Sequence, residues 1–172
     1  MKGTSKAAPR TQVAPQVIAI EFDNAKIIAA LVNENGRVVE EREIATPQRT
    51  TRAAAAEMTK MIVALAVSQS RAGCAINAIG FSIAGLVDPP TGRVSIPELK
   101  NWTRVALLQM IEEGLMGAGI DIRTPPDEKR ARAKHSDSAH PAIVINSRAA
   151  AMAAGEGWAG AARGKNNVVY LS

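Results

Sequence analysis

Residues 17–44 read VIAIEFDNAKIIAALVNENGRVVEEREI, a succession of three short apolar runs. Apolar runs of about four to eight residues bounded by turn residues are typical of strands, so we predict strands over 17–22, 26–32 and 38–44. The Asn35-Gly36 pair between the second and third runs favours a tight hairpin with positive φ angles. The third run carries charges that suit a sheet edge, which must not pair with other chains. These charges are Glu40, Glu41, Arg42 and Glu43.

Beyond this three-strand meander, predicted helices and strands alternate. Apolar residues at helical spacing indicate helices over 51–69 and 104–116, and an alanine-rich run indicates a third over 147–156. Further strands are predicted over 76–87, 94–96, 120–122, 142–145 and 168–171. This order is typical of an α/β fold whose mixed sheet begins with a meander.

Composition narrows the class of protein. The chain has 172 residues, enough for one domain, with 47% hydrophobic and 22% charged residues. The single cysteine, Cys74, excludes a disulfide scaffold, and we interpret it as a small buried residue. No apolar run reaches the roughly 18 residues of a membrane span, and residues 1–16 lack the apolar core of a signal peptide. We therefore expect a cytoplasmic protein without a membrane partner.

The net charge of +5 belongs to two segments without apolar periodicity. Residues 1–16 carry three basic and no acidic residues, and residues 123–140 carry five basic and three acidic ones. We predict a disordered leader over 1–16 and a folded domain over 17–172 with a flexible insertion at 123–140. Because nucleic-acid-binding folds concentrate charge on a folded face, we expect no nucleic acid bound by this domain.

A metal site is not indicated by the sequence. His135, Asp137 and His140 lie in the predicted insertion, and their spacing matches no regular set of metal ligands. We therefore interpret them as a solvated polar loop and predict no metal site.

Three segments carry motifs in a fixed order. Residues 83–88 (IAGLVD) resemble Pro-Gly-x-x-Asp, and residues 92–102 (GRVSIPELKNW) resemble Gly-x-Val-x-x-Pro-Asn-Leu-x-x-Trp. Residues 144–156 (VINSRAAAMAAGE) resemble a strand end and helix start with Asn-Asp-Ala-Asn-Ala-Ala-Ala-x-x-Glu. Together they resemble the ROK family (repressor, open reading frame, kinase) of bacterial sugar kinases and sugar-responsive regulators. The resemblance implies the actin-like ATPase (ribonuclease H-like) fold, of which this chain matches the first lobe only.

The family's ATP phosphate cradle follows the first strand as Asp-x-Gly-Gly-Thr-Lys. Residues 21–26 (EFDNAK) stand at that place here, and only Lys26 is unaltered. The resemblance implies phosphate contacts from Glu21, Asn24 and Lys26. Asp23 departs from the pattern, because a carboxylate about 4 Å from a phosphate charge costs about 4 kcal/mol at an effective dielectric of about 20. The turn itself is expected to persist, since Asp and Asn tolerate positive φ. The alternative interpretation is a plain hairpin with charged turn residues.

The family's general base is an Asp at the start of the third helix, and Ser147 stands at that position. A hydroxyl cannot accept a proton at neutral pH without an activating base of its own. Ser147 also suits the N-cap of a helix, where its oxygen accepts a backbone N–H. We favour the N-cap over a catalytic nucleophile.

Four residues match sugar-binding positions by resemblance: Asn146, Glu98, Glu156 and Gly85. Three of them have a structural alternative from the residues alone: Asn146 as a capping or turn residue, Glu98 as an exposed loop acid, and Glu156 as a solvent-facing helical acid. Trp102 at the end of the second motif is interpreted as a packed side chain rather than a sugar-stacking ring.

Three functions remain open from the sequence. The first is a carbohydrate-binding ROK lobe without kinase activity, with a hexose or amino sugar as partner and no cofactor. The second is the N-terminal half of an ATP-dependent hexose kinase, with ATP and Mg²⁺ as cofactors. The third is a ligand-free remnant that forms a homodimer through apolar surface.

Overall fold

A computed structural model describes residues 16–71, 76–120 and 141–165. The strands are β1 (Gln16–Phe22), β2 (Lys26–Asn33), β3 (Val38–Ala45), β4 (Ile76–Ile83), β5 (Leu86–Asp88), β6 (Arg93–Ser95) and β7 (Ala142–Ser147). The helices are α1 (Thr51–Arg71), α2 (Leu107–Gly117) and α3 (Arg148–Ala159). The predicted leader before Gln16, the insertion at 123–140, the strand over 168–171, residues 121–122, Cys74, His135, Asp137 and His140 lie outside the described residues.

Five strands form one mixed sheet in the order β3-β2-β1-β4-β7, and β5 and β6 pair as a separate hairpin. β2 runs antiparallel to both β1 and β3, whereas β1, β4 and β7 are parallel to one another. The predicted α/β class and N-terminal meander are therefore confirmed. The charged strand β3 lies at the edge of this sheet, as its sequence indicated.

One face of the sheet forms the core beneath α1 and α2. Every second residue of β1, β2 and β4 points to this face, because successive side chains of a strand alternate between the two faces. The buried set comprises Ile18, Ile20, Phe22, Ile27, Ala29, Leu31, Ile79, Phe81 and Ile83 from these strands with Met58, Ile62, Leu65, Leu107, Ile111 and Leu115 from the helices.

The opposite face carries small residues and is crossed by α3. None of the α3 residues is fully buried. A groove of about 470 Å³ is lined by residues of α3 and of this sheet face, among them Ala30, Gly80, Ala151 and Ala154. At the far end of the helix, Trp158 lies against the β2–β3 turn, where a Cβ on Gly36 would come within 3.0 Å of its ring.

The β2–β3 hairpin is confirmed, but its turn differs from the predicted one. Only Gly36 has a positive φ, of 76°, and Asn35 does not. The side-chain Oδ1 of Asn33 accepts the N–H groups of Asn35 and Arg37, both at 3.0 Å. The turn is thus held by Asn33 and closed by one left-handed glycine, the arrangement of a longer hairpin loop.

Two predicted boundaries shift for local reasons. The single strand predicted over 76–87 divides into β4 and β5, because the chain turns after Ile83, where the Gly85 N–H donates to the Ile83 carbonyl at 2.9 Å. The helix predicted from 104 begins at Leu107, since Arg104 has a positive φ and Val105 pairs with Val94. No helix among the described residues is long and apolar enough to cross a membrane.

Candidate functional site

The candidate site lies at the carboxyl edge of the three parallel strands. Phe22 of β1, Ile83 of β4 and Ser147 of β7 are in register there. The chain leaves β1 towards β2 on one side and returns to β4 on the other, which opens a crevice at this edge. Open α/β sheets bind ligands in such crevices, so the turns that follow these strands are candidates for ligand contacts.

The loop that carries Glu98 is anchored to this edge through the end of β1. The ring centroids of Phe22 and Trp102 lie 4.8 Å apart, and Trp102 is only 3% exposed. This contact holds the loop that carries Glu98, which is itself exposed. Since Trp102 is buried, it packs as the sequence indicated and its ring does not face solvent.

Gly85 lies in the turn that follows β4. Because it has no side chain, this turn can approach the β5–β6 hairpin closely. A Cβ at Gly85 would lie 2.5 Å from the carbonyl oxygen of Ser95. The position therefore has a packing reason for glycine. A backbone contact from Gly85 to a sugar stays a prediction.

A row of polar side chains lies on the groove face just inside this edge. Glu21, Ser82 and Asn146 are paired in register on β1, β4 and β7, and all three line the groove. Neighbouring strands are about 4.8 Å apart, so the row brings two predicted site residues, Glu21 and Asn146, to one small surface. Ser82 was missed by sequence reasoning, although the alternation of β4 with buried Ile79, Phe81 and Ile83 places it on this face.

The β1–β2 turn is organised by the carboxylate of Asp23. Its Oδ1 accepts the backbone N–H groups of Ala25 and Lys26, both at 2.8 Å, and its Oδ2 accepts a bond from Arg148 Nη2 at 3.0 Å. The Thr46 hydroxyl donates to the Asp23 carbonyl at 2.8 Å. The turn persists as predicted, but for another reason, because Asp23 has no positive φ and uses side-chain hydrogen bonds instead.

Arg148 is a second site residue that sequence reasoning missed. Its Nη2 lies 2.8 Å from Glu21 Oε1 and 3.0 Å from Asp23 Oδ2, so one nitrogen bridges two carboxylates. A cation in the first turn of a helix is opposed by the helix dipole. An arginine at this unfavourable position was the sequence signal that could have revealed the site, because such a cation is stabilised by acidic side chains nearby.

Ser147 is the N-cap of α3. Its Oγ accepts the N–H of Ala150 at 3.3 Å, and its backbone is extended, with φ −66° and ψ 155°. The N-cap interpretation is therefore confirmed by the geometry.

The remaining predicted residues have partners of their own. Lys26 Nζ donates to Glu43 Oε2 at 3.0 Å, and this hydrogen bond raises the pKa of the Lys26 ammonium. The carbonyl of Asn24 accepts a bond from Gln48 Nε2 at 2.8 Å. Glu156 lies in the last turns of α3, where its Oε2 accepts the N–H of Ala161 at 2.8 Å. The structure thus gathers Glu21, Asn24, Lys26, Asn146 and Ser147 at one edge and places Glu156 towards the other end of α3.

Comparison with known families settles the membership. The ROK family model matches residues 17–121. The chain belongs to the ROK family. No curated protein sequence gives a significant match.

Solved structures share the fold, and two of the following three are ROK proteins. One is a glucokinase from Streptomyces griseus in complex with glucose and AMPPNP, with TM-score 0.59 and 24% identity, covering 87% of this chain and 38% of that one. Another is an inorganic polyphosphate/ATP-glucomannokinase from Arthrobacter sp. strain KM, with TM-score 0.62 and 18% identity, covering 88% of this chain and 51% of that one. A third is a ROK transcriptional regulator, a homologue of the E. coli MLC protein, with TM-score 0.60 and 16% identity, covering 84% and 30%.

The likeness to these proteins shows the fold, which is the first lobe of the actin-like ATPase fold, as predicted. The chain spans about a third to a half of the length of these three structures. The family and the fold of this chain are therefore established, whereas ligand binding and catalysis are proposals.

The residues of this ROK lobe do not fit a magnesium-bound ATP phosphate. The turn amides of Ala25 and Lys26 that face the cradle already bind the Asp23 carboxylate. The carboxylates of Glu21 and Asp23 are bridged by Arg148. Within residues 16–71, 76–120 and 141–165, no three His, Cys, Asp or Glu side chains are arranged to hold a metal.

The Asp23 contacts predict a pH-dependent contribution to stability. Burial raises the pKa of Asp23, but hydrogen bonds from Lys26, Ala25 and Arg148 and the Arg148 charge outweigh it, and the pKa falls below its ordinary 3.8. The unfolded state then binds the proton more readily, so the contribution is present above pH 3.8 and is lost as the pH falls through the lower folded-state pKa.

We expect the melting-temperature difference between wild type and Asp23→Asn to shrink as the pH falls from about 7 to about 2. Thermal melts across this range measure it. The same difference at every pH would contradict the assignment of these bonds to an ionised Asp23.

Proposed function

We propose that this ROK lobe binds a hexose or an amino sugar and transfers no phosphate. The observation that carries the second half of the proposal is Ser147, which stands at the family's base position and uses its hydroxyl to cap α3. A neutral hydroxyl holds no proton-accepting charge, and losing a general base removes roughly 10²–10⁴-fold of the rate. The filled cradle at Asp23 supports the same conclusion.

The sugar contacts in this proposal come from the carboxyl edge. The Asn146 amide offers both a donor and acceptors to sugar hydroxyls, and it lines the groove beside Ser82. Glu98 approaches from the loop anchored by Trp102, and Gly85 offers backbone groups. Glu156 belongs to the same set by resemblance, although its carboxylate is used at the end of α3.

A thermal-shift screen tests the binding half of the proposal. The chain is melted with hexoses, N-acetyl amino sugars, their 6-phosphates and Mg-ATP. Binding at a hundredfold excess over Kd stabilises the folded state by about 2.7 kcal/mol. We expect one neutral sugar or amino sugar to raise the melting temperature, and neither the sugar phosphates nor Mg-ATP to do so.

Asn146→Ala is expected to abolish the sugar-induced shift, since it removes the central amide. Asn77→Ala is the matched control, because Asn77 is an exposed asparagine near the start of β4, at the opposite edge of the sheet. A shift that survives in Asn146→Ala, or that disappears equally in Asn77→Ala, would contradict the placement of the sugar.

The kinase alternative requires ATP, Mg²⁺ and a substitute for the base. A coupled assay with glucose and Mg-ATP, on the chain joined to a ROK second lobe, decides it. Turnover above that of the second lobe alone would replace our proposal, and its absence supports a sugar-binding lobe.

Association of two copies is a second candidate, supported by exposed apolar side chains. On the groove face, Val144 is 52% exposed and Val17 is 36% exposed, and Trp158 at the end of α3 is 59% exposed. Contiguous apolar surface favours association. Light scattering distinguishes the cases: a dimer without any sugar-induced shift would favour an interaction module, and a monodisperse monomer would argue against it.

A further inference from the structure

We propose that the Asp23 carboxylate is a built-in anion that fills the phosphate cradle of this lobe, and that a hydrogen bond from Arg148 holds it there. The site is thereby closed to a free phosphate or a nucleotide phosphate while the sugar-binding edge beside it stays open. This inference rests on the proposed function, because it explains how a sugar site is kept apart from a phosphate site in the same cleft.

The geometry of the turn carries the proposal. Successive backbone N–H groups in a turn form a concave anion site, and here those of Ala25 and Lys26 converge on one oxygen, Asp23 Oδ1, at 2.8 Å each. The other oxygen takes the Arg148 guanidinium at 3.0 Å. Two amides and a guanidinium are the donors that commonly bind phosphate, and here both amides and the Nη2 of Arg148 are bonded to the Asp23 carboxylate.

The surrounding contacts hold this carboxylate in place. The Thr46 hydroxyl donates to the Asp23 carbonyl at 2.8 Å, and the Asp23 N–H donates to Lys26 O at 3.1 Å. The Asp23 side chain is only 19% exposed. A phosphate would have to displace a tethered anion, and a tethered group competes at a high effective concentration.

The charges around the cradle also disfavour phosphate binding. Arg148 is shared with Glu21, so this cluster of two acids and one arginine has a net charge of −1. Lys26 is paired with Glu43 and adds no net charge. An incoming phosphate therefore meets a negative site. Removing the Asp23 carboxylate neutralises the cluster and frees the two amides, while Arg148 keeps its pair with Glu21.

The test titrates inorganic phosphate into the full chain and follows the backbone amide signals of Ala25 and Lys26 by NMR. Asp23→Gly removes the anion and empties the cradle. Asp23→Asn keeps an oxygen on the same amides and removes only the charge. We expect phosphate to bind Asp23→Gly at least about tenfold more tightly than wild type or Asp23→Asn, a difference of about 1.4 kcal/mol or more.

Asn33→Gly is the matched control. Asn33 Oδ1 accepts two N–H groups in the β2–β3 turn in the same way, but the Asn33 side chain is neutral. It is expected to gain no phosphate binding. Thermal melts establish that each variant is folded, and Asp23→Ala replaces Asp23→Gly if the glycine variant melts below the assay temperature.

Three results would overturn the proposal: phosphate binding by wild type at these amides, no gain in a folded variant without the side-chain oxygen, or an equal gain in Asp23→Asn. The last would show that charge alone closes the site. These outcomes are independent of the sugar screen, because the proposed function fails when no sugar shifts the wild-type melt, whatever phosphate does.

Discussion

Phe22→Ala is expected to lower the free energy of unfolding by about 3–5 kcal/mol, the usual cost of removing a buried aromatic ring. Phe22 has no exposed surface, and its ring lies 4.8 Å from that of Trp102. The same residue ends β1, and its carbonyl accepts the N–H of Ala84 at 2.9 Å. The lost ring therefore leaves a cavity at the end of β1, next to Trp102.

Urea denaturation of wild type and Phe22→Ala measures this change. Sugar binding is expected to weaken along with stability, because the loop that carries Glu98 loses the contact between Trp102 and Phe22. Val67→Ala is the control: Val67 is 42% exposed on α1, and we expect a change within about 0.5 kcal/mol. A loss below about 1 kcal/mol in Phe22→Ala would contradict the close packing of this ring.

Gly92→Ala is expected to cost about 2–5 kcal/mol. Gly92 has a φ of 62°, a left-handed conformation that costs other residues about 1–2 kcal/mol. A Cβ there would also overlap the Leu108 side chain at the start of α2. Overpacking of this kind adds about 1–3 kcal/mol, because the β5–β6 hairpin and α2 must move apart to accept the methyl group.

Gly119→Ala separates the two contributions to that cost. Gly119 has a φ of 77°, but a Cβ at this position meets no atom within 4 Å. It should therefore lose only the conformational part, about 1–2 kcal/mol. Equal losses in the two variants, measured by the same denaturation experiment, would show that the contact between Gly92 and Leu108 is not tight.

The elements of this fold were predictable where their signals are local. Short apolar runs predicted the strands of the meander, and apolar residues at helical spacing predicted the buried stripe of α1. A block of charge predicted that β3 is an edge strand. The errors fell at boundaries set by distant contacts. β4 ends at a turn in which Gly85 packs against the carbonyl oxygen of Ser95, a residue on another strand, and no local pattern contains that information.

The sequence by itself determined the α/β class, the meander, the family motifs and the N-cap role of Ser147, because each depends on residues close together in the chain. Only the tertiary structure decided what the altered cradle does. Asp23 and Arg148 are 125 positions apart, and they meet because β1, β4 and β7 end at one edge of the sheet. Sequence showed a carboxylate where a phosphate was expected to lie. The fold places two amides and a guanidinium around this carboxylate. In our proposal, the residue that departs from the family motif therefore occupies the anion site itself.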